Sequence, residues 1–176
     1  MNENRLVSPP IADPMGEDFH PESFEALAYN IQRQMKGRPL QSQPLRVAEL
    51  GTWSGQSTLA IAQSHVLVHC LSPWIAPYDC QEKRWLVLKK REGRWWHDIA
   101  FRVFVGNTNG IVFRVAMPCR CDPLVAAQWW PEELDAVYIN GDRCAEDLTS
   151  LVVAWRQHVR PGGNIYGLYK EHTVAG

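Results

Sequence analysis

A doubly wound, mostly parallel α/β sheet of about five strands is the fold class this sequence predicts. Three observations carry it. Short apolar runs alternate with amphipathic stretches along the chain, the pattern of repeated β-α-β units. The first two runs, LRVAEL and VLVHCL, are joined by a connection far too long for a hairpin, so they pair in parallel with both faces buried. Between them lies ELGTWSG, a glycine-bearing turn where a strand gives way to a helix.

The elements follow in order. Residues 1–18, rich in proline and polar residues, read as a flexible N-terminal arm, and 19–176 as a single domain. PESFEALAYNIQRQMKG, 21–37, opens on Pro21 and closes on Gly37, with Phe24, Leu27, Ala28, Ile31 and Met35 at helical spacing. LRVAEL, 45–50, is the first strand, STLAIAQSH a helix starting near Ser57, and VLVHCL, 66–71, the second strand. Residues 73–96 are the least regular part, longer than an ordinary strand-to-helix link, and are expected to cover the strand ends as a lid or substrate wall. Within them RWLVLKK reads as a strand or as a helical turn. WHDIAFRVFVGN, 96–107, predicts a helix, although its valines and phenylalanines also suit a strand.

GIVFRVAM, 110–117, is expected as strand three. DPLVAAQWW, 122–130, places Asp and then Pro where a helix starts. LDAVYING, 134–141, is strand four. AEDLTSLVVAWRQHV, 145–159, is an amphipathic helix whose apolar face is Leu148, Leu151, Val152, Trp155 and Val159. His158 falls inside that helix and is expected on the surface. RPGG ends the helix, and NIYGLYKE is strand five, an exposed edge that invites pairing. A homodimer through that edge, or an N-terminal arm wrapped over it, is therefore expected.

Composition narrows the function. A chain of 176 residues buries roughly 70% of its unfolded surface. Its 18 Lys and Arg against 19 Asp and Glu give a net charge of -1, without the positive excess of a nucleic-acid binder. The densest basic run, KKREGR at 89–94, reads as a solvated face. No apolar stretch is long enough for a transmembrane helix, and the N-terminus lacks the apolar core of a signal peptide, so a cytoplasmic protein is expected. The five cysteines, Cys70, Cys80, Cys119, Cys121 and Cys144, are odd in number and loosely spaced, which suits free thiols better than a disulfide framework. Cys119 and Cys121 could give zinc two thiolates, but a structural site wants four ligands, and only Cys144 and scattered histidines remain. No metal is expected. The eight tryptophans serve core and loop packing or line a cleft.

On such sheets ligands bind beyond the carboxyl ends of the strands. There the first strand offers Glu49, then Gly51 and Gly55. The spacing Gly-x-x-x-Gly is not that of a dinucleotide binder, which disfavours a nicotinamide or nucleotide-sugar enzyme. Glu49 beside the glycines repels phosphate and suits a cationic ligand.

VAELGTWSGQSTLAIAQ resembles the first motif of class I S-adenosylmethionine-dependent methyltransferases, in the small-molecule and sugar-type branch whose motif runs Glu-x-Gly-x-x-x-Gly-x-Ser-Thr. VHCLSPW resembles the second-strand motif, and LDAVYINGDRCAEDLTSLVVAWRQHVRPGG the fourth-strand motif with its helix and Pro-Gly-Gly turn, all in register over about 45–169. The resemblance implies a Rossmann-like sheet in the strand order 3-2-1-4-5, here without the usual last two strands, and S-adenosylmethionine as cofactor. It implies Glu49, Gly51 and Gly55 around the amino-acid half of the cofactor, with Thr52 and Trp53 in the same loop and Ser57 at the helix start. Ser72 then stands at the ribose, Pro73 and Trp74 flank the adenosine, Met117 to Asp122 approach the adenine edge, and Asn140 to Asp142 face the methyl group or acceptor.

Four departures fall at that implied site. Ser72 replaces the ribose-binding Asp, at a cost to affinity of roughly 2–3 kcal/mol. Asn140 replaces an acid and cannot act as a base. Arg143 and Cys144 replace His-Ser, and Leu168-Tyr169 replaces His-Asp. Asp142 survives to orient the acceptor. Two functions follow as expectations: methyl transfer to a small-molecule or sugar-like acceptor, or a methyltransferase-like protein without catalysis that binds the cofactor, its product or a protein partner.

Overall fold

The computed structural model describes residues 29–30, 33, 43–62, 66–74, 96–140 and 148–168, with the backbone alone over 96–100. The expected N-terminal arm, most of the first helix, residues 75–95, the segment 141–147 with Asp142, Arg143 and Cys144, and residues 169–176 lie outside the described residues.

Among the described residues nine elements follow one another: β1 (Leu45–Leu50), α1 (Gln56–Ala62), β2 (Val66–Leu71), α2 (Trp96–Asn107), β3 (Ala116–Cys119), α3 (Pro123–Ala127), β4 (Leu134–Asn140), α4 (Leu148–Arg156) and β5 (Val159–Leu168). The strands form one sheet in the order β3-β2-β1-β4-β5. Every neighbouring pair is parallel, as the helical connections require. The direction of winding reverses between β2 and β4, on either side of β1, which makes the carboxyl end of β1 the switch point.

Strand periodicity divides the core into two layers. Leu45 and Val47 of β1 face a cluster with Val68, Ile61 of α1, Phe104 of α2 and Trp74. Ala48 and Leu50 face the opposite cluster, with Leu71, Ile139, Ala126 of α3, and Leu151 and Trp155 of α4. Helices α1 and α2 thus cover one face, and α3 and α4 the other. Residues 96–107 form the helix that the sequence left open to a strand. Among the described residues no helix is long and apolar enough to cross a membrane.

Strand three is shorter and later than its apolar composition implies. Residues 108–115 are a compact turn rather than a strand. Ile111 and Val112 donate their N–H groups to the Thr108 carbonyl at 3.0 Å, and Val115 and Ala116 donate theirs to Ile111 at 2.9 and 3.0 Å. Gly110 (φ 98°) and Phe113 (φ 59°) take left-handed backbone there. Local hydrogen bonds therefore use the backbone groups a ladder would need, while Ile111 and Val112 still pack on the core.

The RPGG segment also differs from expectation. Helix α4 stops at Arg156, and His158 is not helical: its N–H closes on the Trp155 carbonyl at 3.0 Å and its carbonyl accepts from Leu134 N–H at 2.8 Å. Its ring is half-buried, with Nε2 2.8 Å from the Ala127 carbonyl, rather than free on the surface. Pro161, Gly162 and Gly163 lie inside β5 as a bulge. Leu134 pairs with Val159 and Ala136 already with Asn164, so a step from 134 to 136 on β4 faces a step from 159 to 164 on β5. Asp135 clamps the bulge. Its carboxylate accepts from Arg160 Nη2 at 2.6 Å and from the Arg46 N–H at 2.7 Å. A Cβ at Gly163 would stand 2.7 Å from the Asp135 carbonyl, so only glycine fits.

Candidate functional site

Glu49 is the penultimate residue of β1, opposite Cys70 of β2 and Tyr138 of β4, and it is fully buried. Two hydroxyls at the start of α1 reach back to it. Ser57 Oγ donates to one carboxylate oxygen, and Thr58 Oγ1 donates to the other at 2.5 Å. Burial pushes the Glu49 carboxyl above its usual value near 4.5, and the Ser57, Thr58 and Thr52 hydroxyls pull it part of the way back. Behind it, Cys70 Sγ lies 3.8 Å from Thr58 Oγ1, and burial pushes that thiol well up.

The turn after β1 has the backbone its glycines foretold. Gly51 and Gly55 sit at φ 80° and 86°. The N–H groups of Gly51 and Thr52 donate to the Leu71 carbonyl at 2.9 and 3.3 Å, which ties the turn to the end of β2. Thr52 Oγ1 closes the turn on the Glu49 carbonyl at 3.3 Å. Thr52, Trp53, Ser54 and Ser57 are all buried.

Helix α2 supplies support that the motifs did not reveal. A Cβ on Gly55 would come within 2.6 Å of Thr108 Cγ2 and 3.1 Å of the Phe104 ring. Asn107 Nδ2 donates to the Ser54 carbonyl at 2.9 Å. The glycine turn is therefore held from behind by Phe104, Asn107 and Thr108. Their signal in the sequence is GNTNG, a run of turn formers closing a helix.

Beyond β2, Ser72 donates its N–H to the Cys119 carbonyl at 3.2 Å, and its Oγ accepts the Trp74 N–H at 3.1 Å. That bond holds Trp74 at φ 46°, an uncommon conformation for a bulky side chain. The indole is fully buried; Nε1 donates to the Trp53 carbonyl at 3.0 Å, and the ring packs on Phe101 and Phe104 at 5.2 and 5.1 Å between centroids. Pro73, between them, is half-buried.

The structure thus gathers Glu49, Gly51, Thr52, Trp53, Gly55, Ser57, Ser72, Pro73 and Trp74 at the carboxyl ends of β1 and β2. Asp122 follows β3 and caps α3, its Oδ1 accepting from Val125 N–H at 2.9 Å. Asn140 ends β4, half-buried and opposite Leu168. Asp142 lies outside the described residues. Among the described residues no group of three or more His, Cys, Asp or Glu side chains could hold a metal ion.

No protein-family model matches this chain, and no curated protein matches it. Its fold is similar to that of solved structures. A precorrin 8W decarboxylase from Methanobacterium thermoautotrophicum aligns with a TM-score of 0.60 at 14% identity, over 93% of this chain and 71% of the other. A SAM-dependent methyltransferase from Agrobacterium tumefaciens aligns with a TM-score of 0.54 at 12% identity, over 86% of this chain and 45% of the other. The chain therefore spans less than half of that methyltransferase. At such identities the likeness shows the shared Rossmann-like fold alone.

Proposed function

We propose that the chain binds S-adenosylmethionine at the carboxyl ends of β1, β2 and β4 and catalyses methyl transfer to a small-molecule or sugar-like acceptor. One observation carries the reading. A buried carboxylate, Glu49, stands at the switch point of the sheet directly before Gly51 and Gly55, both left-handed. A carboxylate has about four acceptor positions, and the α1 hydroxyls do not fill them all. With its pKa already raised by burial, Glu49 gains from a cationic partner such as an α-ammonium group. The chain's residues suit the amino-acid half of that cofactor in charge and in backbone. Likeness in fold to a SAM-dependent methyltransferase supports the same reading.

In this proposal Glu49, Gly51, Thr52, Trp53, Gly55 and Ser57 surround the amino-acid half. The Ser72 hydroxyl, whose oxygen already accepts from Trp74, keeps its hydrogen to donate toward the ribose. Pro73 and Trp74 lie along the adenosine, Asp122 near the adenine edge, and Asn140 and Asp142 orient the acceptor. When bound, the cofactor supplies a sulfonium already reactive enough to give up its methyl group. The protein's task is then proximity and alignment, which needs neither a strong base nor a metal.

A second reading, a methyltransferase-like protein without turnover, is favoured by the way Ser72 and Trp74 serve the fold, one propping the other's backbone and the indole tied to Trp53. Calorimetry of the full chain with S-adenosylmethionine and its demethylated product tests both. Binding with turnover of a hydroxyl or amine acceptor supports the enzyme, and binding without turnover across acceptors supports the second reading. Heat from neither ligand overturns the enzyme and leaves the second reading only its protein partner.

A further inference from the structure

We propose that Cys119 and Cys121 form a reversible dithiol–disulfide pair, a modification site that reacts with small soluble disulfides. Cys119 is the last residue of β3, and Cys121 directly precedes the α3 cap Asp122. The backbone between them folds into a three-residue turn, with Cys121 N–H donating to the Cys119 carbonyl at 3.0 Å. That turn puts both side chains on one side, with the sulfurs 3.3 Å apart. Arg120 is sent the other way, its guanidinium 5.3 Å from the centre of the Phe101 ring.

Bonding requires the sulfurs to close from 3.3 Å to about 2.0 Å, a side-chain adjustment within an existing turn. Both cysteines are free and only half-buried, whereas Cys70 is fully buried. Burial first, and then the neighbouring Cys119 sulfur, push the Cys121 thiol up to about 12. Cys121 therefore keeps its proton and shares it across the gap. The short ring that would close is of the strained kind that reducing thiols readily reopen.

The exchange balances without a further reactant. The Cys119 thiolate attacks one sulfur of a small disulfide RSSR, forming the mixed Cys119–S–S–R bond and expelling one thiolate, which leaves as RSH. Cys121 then gives up its proton, its sulfur attacks Cys119 Sγ, and the second RSH departs. Two thiols lose two electrons and two protons, and RSSR gains both. The carbonyl of Cys119 accepts the Ser72 N–H at 3.2 Å, so this chemistry takes place one hydrogen bond from Ser72.

The test uses the full-length native protein with glutathione disulfide, followed by N-ethylmaleimide and tryptic digestion without reduction. Trypsin cuts after Arg120, between the two cysteines, so an internal disulfide leaves two peptides linked and both maleimide labels lost. Dithiothreitol should restore both labels. C121S should instead retain glutathione on Cys119, with buried Cys70 still unlabelled as proof that the fold is intact. Maleimide on both cysteines, glutathione on each, or linkage to Cys70, Cys80 or Cys144 overturns the proposal, as does a maleimide-labelled Cys119 in folded C121S.

Discussion

Trp74 donates its indole N–H to the main-chain carbonyl of Trp53 at 3.0 Å, and this bond ties the segment after β2 to the turn after β1. Two loops that a ligand at the switch point would touch therefore share one buried side chain. Truncating it should loosen both. W74A is expected to lose about 3–5 kcal/mol of stability. W74F keeps most of the packing on Phe101 and Phe104 and should lose about 0.5–1.5 kcal/mol beyond its small volume change. Urea unfolding of the two variants checks this, and a W74F loss no larger than its volume change costs would show that the hydrogen bond carries nothing.

Glu49 makes stability depend on pH in an unusual direction for a carboxylate. Its folded pKa lies above the ordinary value near 4.5, so the folded state holds the proton more tightly than the unfolded chain. The contribution is fully present below about 4.5 and is lost as pH rises through the folded value. E49Q removes that titration. The stability of E49Q relative to the native chain should therefore rise as pH increases above about 4.5 through the folded value, measured by denaturant midpoints at fixed ionic strength. A difference that stays constant over that window contradicts the account.

Gly55 answers two demands at once, a left-handed φ of 86° and the absence of a Cβ against Thr108 and Phe104. G55A should cost about 1–3 kcal/mol from the backbone conformation, with overpacking added. Because Thr108 Cγ2 is the nearest atom, the double variant G55A/T108S should recover part of the loss. Thermal melts of the three proteins decide it, and full additivity of the two substitutions would place the strain elsewhere.

In the proposed reading, Ser72 takes the place of a carboxylate that would hold both ribose hydroxyls. In S72D the new side chain can still accept the Trp74 N–H, as aspartate does in local turns, so the fold should persist. Affinity for S-adenosylmethionine should rise by about 2–3 kcal/mol, roughly 30- to 150-fold. Calorimetry on S72D reads this directly. Unchanged affinity with intact structure would show that residue 72 does not meet the ribose.

The part of the fold legible in the sequence is the part fixed by local pattern. In β1, α1 and β2 the strand runs, the two glycines and the connection length all point the same way. Strand three was misplaced because GIVFRV is equally apolar in a turn and in a ladder. What decides is the hydrogen bonding of Ile111 and Val115, which composition does not encode. RPGG reads as a helix stop, and its place inside β5 depends on Asp135, a partner from β4. At the site, the positions of Glu49, Gly51 and Gly55 follow from spacing alone. That both Ser57 and Thr58 turn toward Glu49 depends on the rotation of α1 about its own axis. The support from Asn107 and Thr108 comes from residues more than fifty positions away, a relation no local motif carries.

The interruptions in the outer strands bear on how molecules of this protein meet one another. Among the described strands, β3 and β5 each have a single neighbour. β3 is four residues long and contains Pro118, which has no N–H to offer. β5 begins in a bulge, so its regular ladder is confined to Asn164–Leu168. Runaway stacking of sheets end on end needs long, flat borders on both flanks, and this sheet presents neither. Among the described strands, pairing at the β5 edge would be confined to the short ladder Asn164–Leu168, which works against open-ended growth.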